Sequence, residues 1–331
     1  MNKFIAPASL CLAMTFGASV SAESHQPSTA IQKSIHLITT AWRAYPTKEK
    51  TCFTCHNHAM PVFALNIASE AGYNIDENII TQIATHAQAH YAKRTGRIAK
   101  GSGVGGQANS ASYALTLFHA SSWPKDKTTT ALVDYLLITQ KDDGRWETPS
   151  HRPPSGASDF TSTALAARAI HYYATDDQKP KTATPLQNAR QWMTQTIPQT
   201  NEDKTFQLLG LFWFNESKET LKTASDHLLN DQRENGGWAQ RANMNSDAYA
   251  TGQALVALQH SGQITTSHPA YQRGLQFLLN SQKPDGSWHV VTHADPIQDY
   301  YESGFPHGED QFISLNATCW ATIALSLAHP K

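Results

Sequence analysis

The strongest constraint on the fold is a motif that occurs three times between residues 140 and 288. Each copy is the end of an apolar helix followed by Gln-x-x-x-Gly-x-Trp, at 140–146, 232–238 and 282–288. Glycine can adopt the positive φ that ends a helix, and the tryptophan after it can fold back as an apolar plug. A second element, Thr-x-x-Ala followed by small residues, begins at 161, 251 and 318. Such repetition indicates a repeat architecture.

Each repeat contains two kinds of helical pattern. The segment 132–136 is amphipathic, whereas 164–170 is apolar on nearly every side. A helix that is apolar all round is buried, and a one-sided stripe lies between a core and water. The alternation predicts an all-α fold over residues 105–331. We expect an α/α toroid of about five to six helical hairpins, with small-residue helices inside, amphipathic helices outside and no substantial sheet.

These repeats resemble those of the squalene cyclase and protein prenyltransferase superfamily, whose α/α toroids carry Gln- and Trp-containing repeats. The segments 246–258 and 303–311 also resemble bacterial exported toroid proteins with an N-terminal Cys-x-x-Cys-His motif. The resemblance implies the toroid fold and an apolar or polyprenyl-like ligand in the cavity.

The residues by which these relatives act are mostly missing. Class II terpene cyclases protonate their substrate with the middle acid of Asp-x-Asp-Asp, where this chain has Asp159-Phe160-Thr161. The prenyltransferase zinc ligands would fall near Asp247 and at Ala317, and neither the cysteine nor the histidine is present. A shared fold therefore does not establish a shared activity, because activity depends on the residues at the site in this chain.

The N-terminal part carries the signature of covalent haem attachment, Cys52-Phe53-Thr54-Cys55-His56. In this pattern Cys52 and Cys55 bond to the porphyrin and His56 binds iron. It predicts haem c, with His86 or His90 as a candidate distal ligand because both lie on one face of a predicted helix.

Two other interpretations of this motif stay open. Cys52 and Cys55 could bind zinc or copper together with His56 or the nearby His58. Alternatively, the two cysteines could form a local disulfide.

The first 22 residues have the pattern of a cleaved secretory signal, with Lys3, an apolar stretch and small residues before the cleavage site. We therefore expect a periplasmic protein with a helical segment at 23–104 that carries the cysteine motif. No later segment offers 18 uninterrupted apolar residues, so the mature chain is expected to have no membrane span. Its net charge of about −2 gives no reason to expect nucleic acid as a partner.

Three further residues are candidates for catalysis at the mouth of the toroid. Asp159 and Asp247 precede inner-helix patterns, where they could instead be N-caps. His307 lies with several acids in the polar-aromatic segment 293–311, an insertion that is either a binding loop or a solvated lid.

Two functions follow from these features. In the first, a periplasmic haem protein transfers electrons with a redox partner and acts on an apolar ligand in the toroid cavity. In the second, a haem-free, terpene-cyclase-like toroid enzyme or binder, with or without a metal, uses the mouth acids and His307.

Overall fold

The computed structural model describes residues 26–45, 53–148, 152–296 and 299–331. The predicted signal at 1–22 and the first motif cysteine, Cys52, lie outside the described residues.

The described chain is built of α-helices joined by turns and longer loops, which include the five-residue π-helix Cys55–Ala59 and the short 3₁₀-helices Lys179–Lys181 and Gly308–Asp310. The helices are α1 (Pro27–Ala44), α2 (Met60–Glu70), α3 (Glu77–Ala92), α4 (Thr95–Ile98), α5 (Gln107–Ala120), α6 (Lys127–Thr139), α7 (Asp159–Tyr173), α8 (Ala183–Gln195), α9 (Asn201–Trp213), α10 (Lys218–Asn230), α11 (Ala248–His260), α12 (Pro269–Ser281) and α13 (Gln311–Ala328).

Six of these helices close into an inner ring. Each packs on the next in the order α2, α5, α7, α9, α11, α13, and α13 returns to α2. The outer helices α1, α3, α6, α8, α10 and α12 each lie against two neighbouring inner helices. The predicted all-α toroid is therefore confirmed, with six hairpins in the described chain. The segment 23–104 supplies α1 to α4, including one inner helix of the ring.

Small side chains let the inner helices approach closely. A Cβ on Gly252 of α11 would lie 2.7 Å from the backbone carbon of Trp320 on α13. The inner helices are buried on nearly all sides, as their apolar sequences predict. Helix α13 is long and apolar enough to cross a membrane, but 83% of its most apolar stretch is buried inside the protein.

The three Gln-x-x-x-Gly-x-Trp turns have the same structure. In each, the glutamine amide donates to the carbonyl of the turn glycine and to a carbonyl of the next outer helix. The tryptophan is fully buried, and its indole N–H donates to a leucine carbonyl ten residues earlier. These contacts tie each turn to its own hairpin and to the following one. The residues are Gln140, Gln232 and Gln282 with Trp146, Trp238 and Trp288.

A threonine on the following inner helix holds each tryptophan backbone. Thr251 and Thr318 accept the amide N–H of Trp238 and Trp288 at 2.9 and 3.1 Å. In the first repeat this partner is Thr163 and not Thr161. Thr161 does not make this contact, and its side chain faces the interior of the ring.

The described residues contain no β-strand. Two isolated bridges pair Arg152 with Gly156 and Trp238 with Asp247. The prediction of no substantial sheet is confirmed for this part of the chain.

Candidate functional site

A buried carboxyl lies inside the ring, near the start of α9. Glu202 is only 2% exposed. Its Oε1 accepts a hydrogen bond from the Thr161 hydroxyl at 2.6 Å, and its Oε2 accepts from the Tyr249 hydroxyl at 2.8 Å and the Gln253 amide at 2.7 Å. These four residues, the Glu202 cluster, come from three inner helices.

Helix capping brings the first turns of these helices together. Thr200 and Asp203 form a capping box at the start of α9, and Ser158 caps α7. The Ser158 hydroxyl also donates to Asp203 at 2.6 Å, so the starts of α7 and α9 meet. Side chains from the first turns consequently converge at one end of the ring.

The surroundings of Glu202 favour its protonated form. Burial raises the pKa of this carboxyl, and the hydrogen bonds from Thr161, Gln253 and Tyr249 oppose that rise. Burial and the nearby Glu202 also hold the pKa of Tyr249 well above its usual range. A carboxyl in such a place can exchange a proton with a polar group on a bound ligand.

The π-helix brings the second half of the cysteine motif to the same interior. π-Helical turns occur frequently at functional sites. Cys55 Sγ lies 3.8 Å from His56 Nδ1, and its thiol is free. Burial raises the pKa of Cys55 to about 11, and the charge of Glu202 acts in the same direction. This environment favours the protonated thiol over the thiolate.

His56 is a buried histidine with one ring nitrogen that has no partner in the described part of the chain. It is 8% exposed, and its Nε2 is buried without a hydrogen-bond partner among the described residues. Its ring packs 4.6 Å from that of Phe312, measured between centroids. Burial, followed by the Arg152 charge, lowers the pKa of His56 to about 3, so the imidazole is neutral.

The candidate distal ligands have other contacts. His86 Nδ1 lies 2.9 Å from Nε2 of the fully buried His58, and the two rings stack. His90 Nε2 lies 2.6 Å from an Arg94 guanidinium nitrogen. Neither contact involves His56, and the described residues contain no group of three or more His, Cys, Asp or Glu side chains arranged to hold a metal ion.

The predicted mouth acids lie at the starts of α7 and α11. Asp159 accepts from the Thr148 backbone N–H at 2.7 Å and pairs with Arg145 at 3.0 Å. Asp247 caps α11 by accepting from the Ala250 N–H at 2.9 Å. Burial raises the pKa of Asp247 to about 6. Asp247 thus matches the capping alternative, whereas α7 is capped by Ser158 and Asp159 holds the preceding loop; a catalytic role for either acid stays a prediction.

His307 lies beside the last tryptophan turn. Its Nε2 is 2.7 Å from the Ser287 hydroxyl, and its ring stacks on that of His289 at 4.4 Å. Burial lowers the pKa of His307. No hydrogen bond or ion pair of the described residues joins it to Asp159 or Asp247, so the structure does not bring the three predicted catalytic residues into direct contact.

The residues at the centre of the ring escaped sequence reasoning. Glu202 and Asp203 are adjacent acids in the first turn of α9, and capping accounts for Asp203 alone, which is a usable signal. Tyr249 and Gln253 are four residues apart and share one helix face. Their convergence on Glu202 depends on contacts some 50 residues apart along the chain.

Comparison with known proteins finds sequence similarity to cyclases in the C-terminal part of the chain. Residues 193–330 match the model of the squalene-hopene cyclase C-terminal domain. A squalene–hopene cyclase of Bradyrhizobium diazoefficiens is 30% identical over 113 residues, which cover 29% of this chain and 16% of that enzyme. The matching segment thus spans about a sixth of the cyclase.

Solved structures share the fold over most of the chain. A variant of the type II terpene cyclase MstE from Scytonema, in complex with its substrate geranylgeranyl dihydroxybenzoate, is 16% identical, with a TM-score of 0.60 over 92% of this chain and 97% of that one. Another MstE variant, in complex with the product merosterolic acid A, is 15% identical with the same TM-score and coverage. A protein from Actinoplanes is 13% identical, with a TM-score of 0.53 over 92% of this chain and 99% of its own. Residues 193–330 thus match the squalene-hopene cyclase C-terminal domain, and the described chain has the α/α-toroid fold of the type II terpene cyclases.

Proposed function

We propose that this chain is a terpene-cyclase-like toroid protein that takes an isoprenoid-type ligand into its ring and presents the Glu202 carboxyl to the ligand's polar end. The observation that carries this proposal is a buried acid held by donors from two other inner helices. The terpene cyclase from Scytonema, which has the same fold, is described with a geranylgeranyl compound bound.

The chemistry of Glu202 favours exchange of a proton with oxygen over protonation of an alkene. An alkene needs a strong acid, and burial makes Glu202 a weaker one by raising its pKa. The Asp-x-Asp-Asp acid of the class II cyclases is also replaced here by Thr161. A hydroxyl or carbonyl oxygen on the ligand is a partner that a protonated Glu202 can donate to.

The test compares geranylgeraniol with the corresponding hydrocarbon, which lacks the hydroxyl group. We expect the protein to bind the alcohol more tightly in isothermal titration calorimetry. Glu202→Leu should reduce this preference by about 1–2 kcal/mol, because leucine has no group that can form a hydrogen bond with the ligand hydroxyl. Incubation followed by gas chromatography and mass spectrometry would detect any product of turnover.

Glu234→Leu is the matched control, because Glu234 is exposed. It should bind both compounds as the unmodified protein does. Equal binding of the alcohol by Glu202→Leu, with unchanged thermal unfolding, would show that Glu202 does not contact the ligand. A folded protein that binds neither compound would rule out the ligand class.

A haem-bearing, periplasmic electron carrier is the second candidate function. The observation that favours it is the unpartnered Nε2 of His56, next to the free thiol of Cys55. An imidazole nitrogen and a thiol are the groups that c-type haem attachment uses, and the haem would supply one-electron chemistry. Zinc or copper at the same groups is the alternative cofactor.

Production in a haem-c-competent host, with the export signal present, tests this candidate. The expected result is periplasmic protein with a pyridine-haemochrome band that survives denaturation and disappears in the Cys55→Ser variant. Elemental analysis for iron, zinc and copper would distinguish the cofactors. A colourless, metal-free and correctly folded protein would reject both.

A further inference from the structure

A cavity of about 420 Å³ lies at the carboxyl ends of α7, α9 and α11, at the opposite ends of these helices from the Glu202 cluster. Its volume falls within the roughly 300–1,000 Å³ of small-molecule pockets. Much of the lining is apolar or aromatic, and it includes Ala164, Ala167, Leu186 and Phe212.

The cavity contains a cation without an anion to pair with. Arg168 lies 4.1 Å above the Trp213 ring and 5.2 Å above the Tyr172 ring. Among the described residues it makes no hydrogen bond or ion pair, and no Asp or Glu lines this cavity. Arginine stays charged in proteins, so the positive charge is present whatever the occupant.

The neighbouring histidines do not compete for an anion. His260 lines the cavity, and His119 stacks on Tyr172 at 3.6 Å. Burial, together with the charge of Arg168, lowers the pKa of both, which favours their neutral forms. Arg168 is the one arginine or lysine among the described residues that line this cavity, which also include His171.

A second group also lacks its partner. The indole Nε1 of Trp213 is buried without a hydrogen bond among the described residues. Burying such a donor without an acceptor costs about 1–3 kcal/mol. The negative carbonyl end of α7 favours a cation and would explain Arg168 alone. This charge at the helix end explains neither the cavity nor the indole N–H of Trp213 that lacks an acceptor in the described chain.

We infer that this cavity, the Arg168 pocket, binds a small amphipathic anion: its carboxylate pairs with the Arg168 guanidinium and its flat apolar body packs among the aromatic side chains. Arginine presents its donors in a planar fork that matches the two oxygens of a carboxylate. The rings of Tyr172 and Trp213 hold the guanidinium in place.

The experiment uses 2-naphthoate, the neutral 2-naphthylmethanol and inorganic phosphate as probes, each titrated calorimetrically at neutral pH. We expect naphthoate to bind roughly 10- to 100-fold more tightly than the alcohol, because a charge-assisted hydrogen bond to Arg168 contributes about that much affinity. Phosphate alone should bind much more weakly, because it has no apolar body. Arg168→Met should remove the preference for naphthoate, and Arg168→Lys should restore part of it.

Arg43→Met is the matched control, since Arg43 is exposed, pairs with Asp76 and is not part of the Arg168 pocket. It should keep the full preference, as should Glu202→Leu, so failure here is distinct from failure of the proposed function. Equal binding of the two naphthalene probes by the unmodified protein would overturn the inference even if Arg168→Met did not fold. Phosphate bound as tightly as naphthoate would overturn the assignment of an apolar body.

Discussion

The hydrogen-bond partners of an acid near the start of an inner helix indicate whether it stabilises the helix or is available to a ligand. Asp247 and Glu202 both lie close to a helix start, and burial raises the pKa of each. Asp247 accepts a backbone N–H and thereby caps α11. In the described structure, Glu202 accepts hydrogen bonds only from side chains of other helices. These hydrogen bonds hold its carboxyl inside the ring.

The raised pKa of Asp247 predicts a pH dependence of stability. The folded protein keeps this proton up to about pH 6, whereas the unfolded chain loses it near the ordinary pKa of 3.8. Because the folded state binds more protons in this interval, the contribution of Asp247 to stability falls as the pH rises from about 4 to 6.

Asp247→Asn removes this titration while keeping a residue that caps helices well. Relative to the unmodified protein, the variant should gain stability on the order of 2 kcal/mol between pH 4 and pH 6. Urea unfolding at a series of pH values measures it. A constant stability difference across this range would show that Asp247 has an ordinary pKa.

Individual elements show how the repeat motif works as a joint between hairpins. The turn glycine has a positive φ, and its glutamine links the turn to the next outer helix. For Gly236, φ is +85°, and a Cβ there would lie 2.5 Å from the Arg273 carbonyl oxygen of α12. The glycine is therefore required both by backbone conformation and by the close approach of the neighbouring helix.

Gly236→Ala should destabilise the protein by about 2–4 kcal/mol, because strain at positive φ adds to a collision with backbone that cannot move aside. Gly262→Ala is the matched control: its φ is +70°, but no atom lies within 4 Å of the added Cβ. It should cost only about 1 kcal/mol. Chemical denaturation measures the free energy of unfolding of both variants. Equal losses of stability would mean that the close approach of α12 to Gly236 does not contribute.

At the scale of the whole molecule, the ring closes through the N-terminal helices. Helix α2 fills the place between α13 and α5, and α1 receives the Gln282 hydrogen bond at the Ala30 carbonyl. The turn at Gly286 likewise lies against Lys33 of α1. Without these helices, the apolar faces of α5 and α13 would be exposed to water.

A chain that begins at residue 105 should therefore fail to unfold cooperatively and should self-associate, because exposed apolar faces of this size promote association. Size-exclusion chromatography and denaturant unfolding measure this, and a chain that begins at residue 26 is the control. Cooperative unfolding of the shorter, monomeric chain with an unchanged midpoint would show instead that 105–331 is an independent domain.

The sequence by itself determined the architecture of this protein. Helix periodicity, the turn glycines and the buried tryptophans act over short distances, so the alternation of inner and outer helices could be predicted from them. The sequence likewise shows that the thiol of Cys55 and the imidazole of His56 are neighbours, because their motif is local.

Only the tertiary structure decided which polar groups meet. Glu202, Thr161 and Tyr249 come from three helices, and the fold turns them toward one point inside the ring. Arg168 and Trp213 likewise meet only because the ends of α7 and α9 are adjacent. Such meetings depend on how helices distant in the chain pack together. The pKa of a buried group and the shape of a cavity follow from that packing, and neither is encoded in any local pattern of residues.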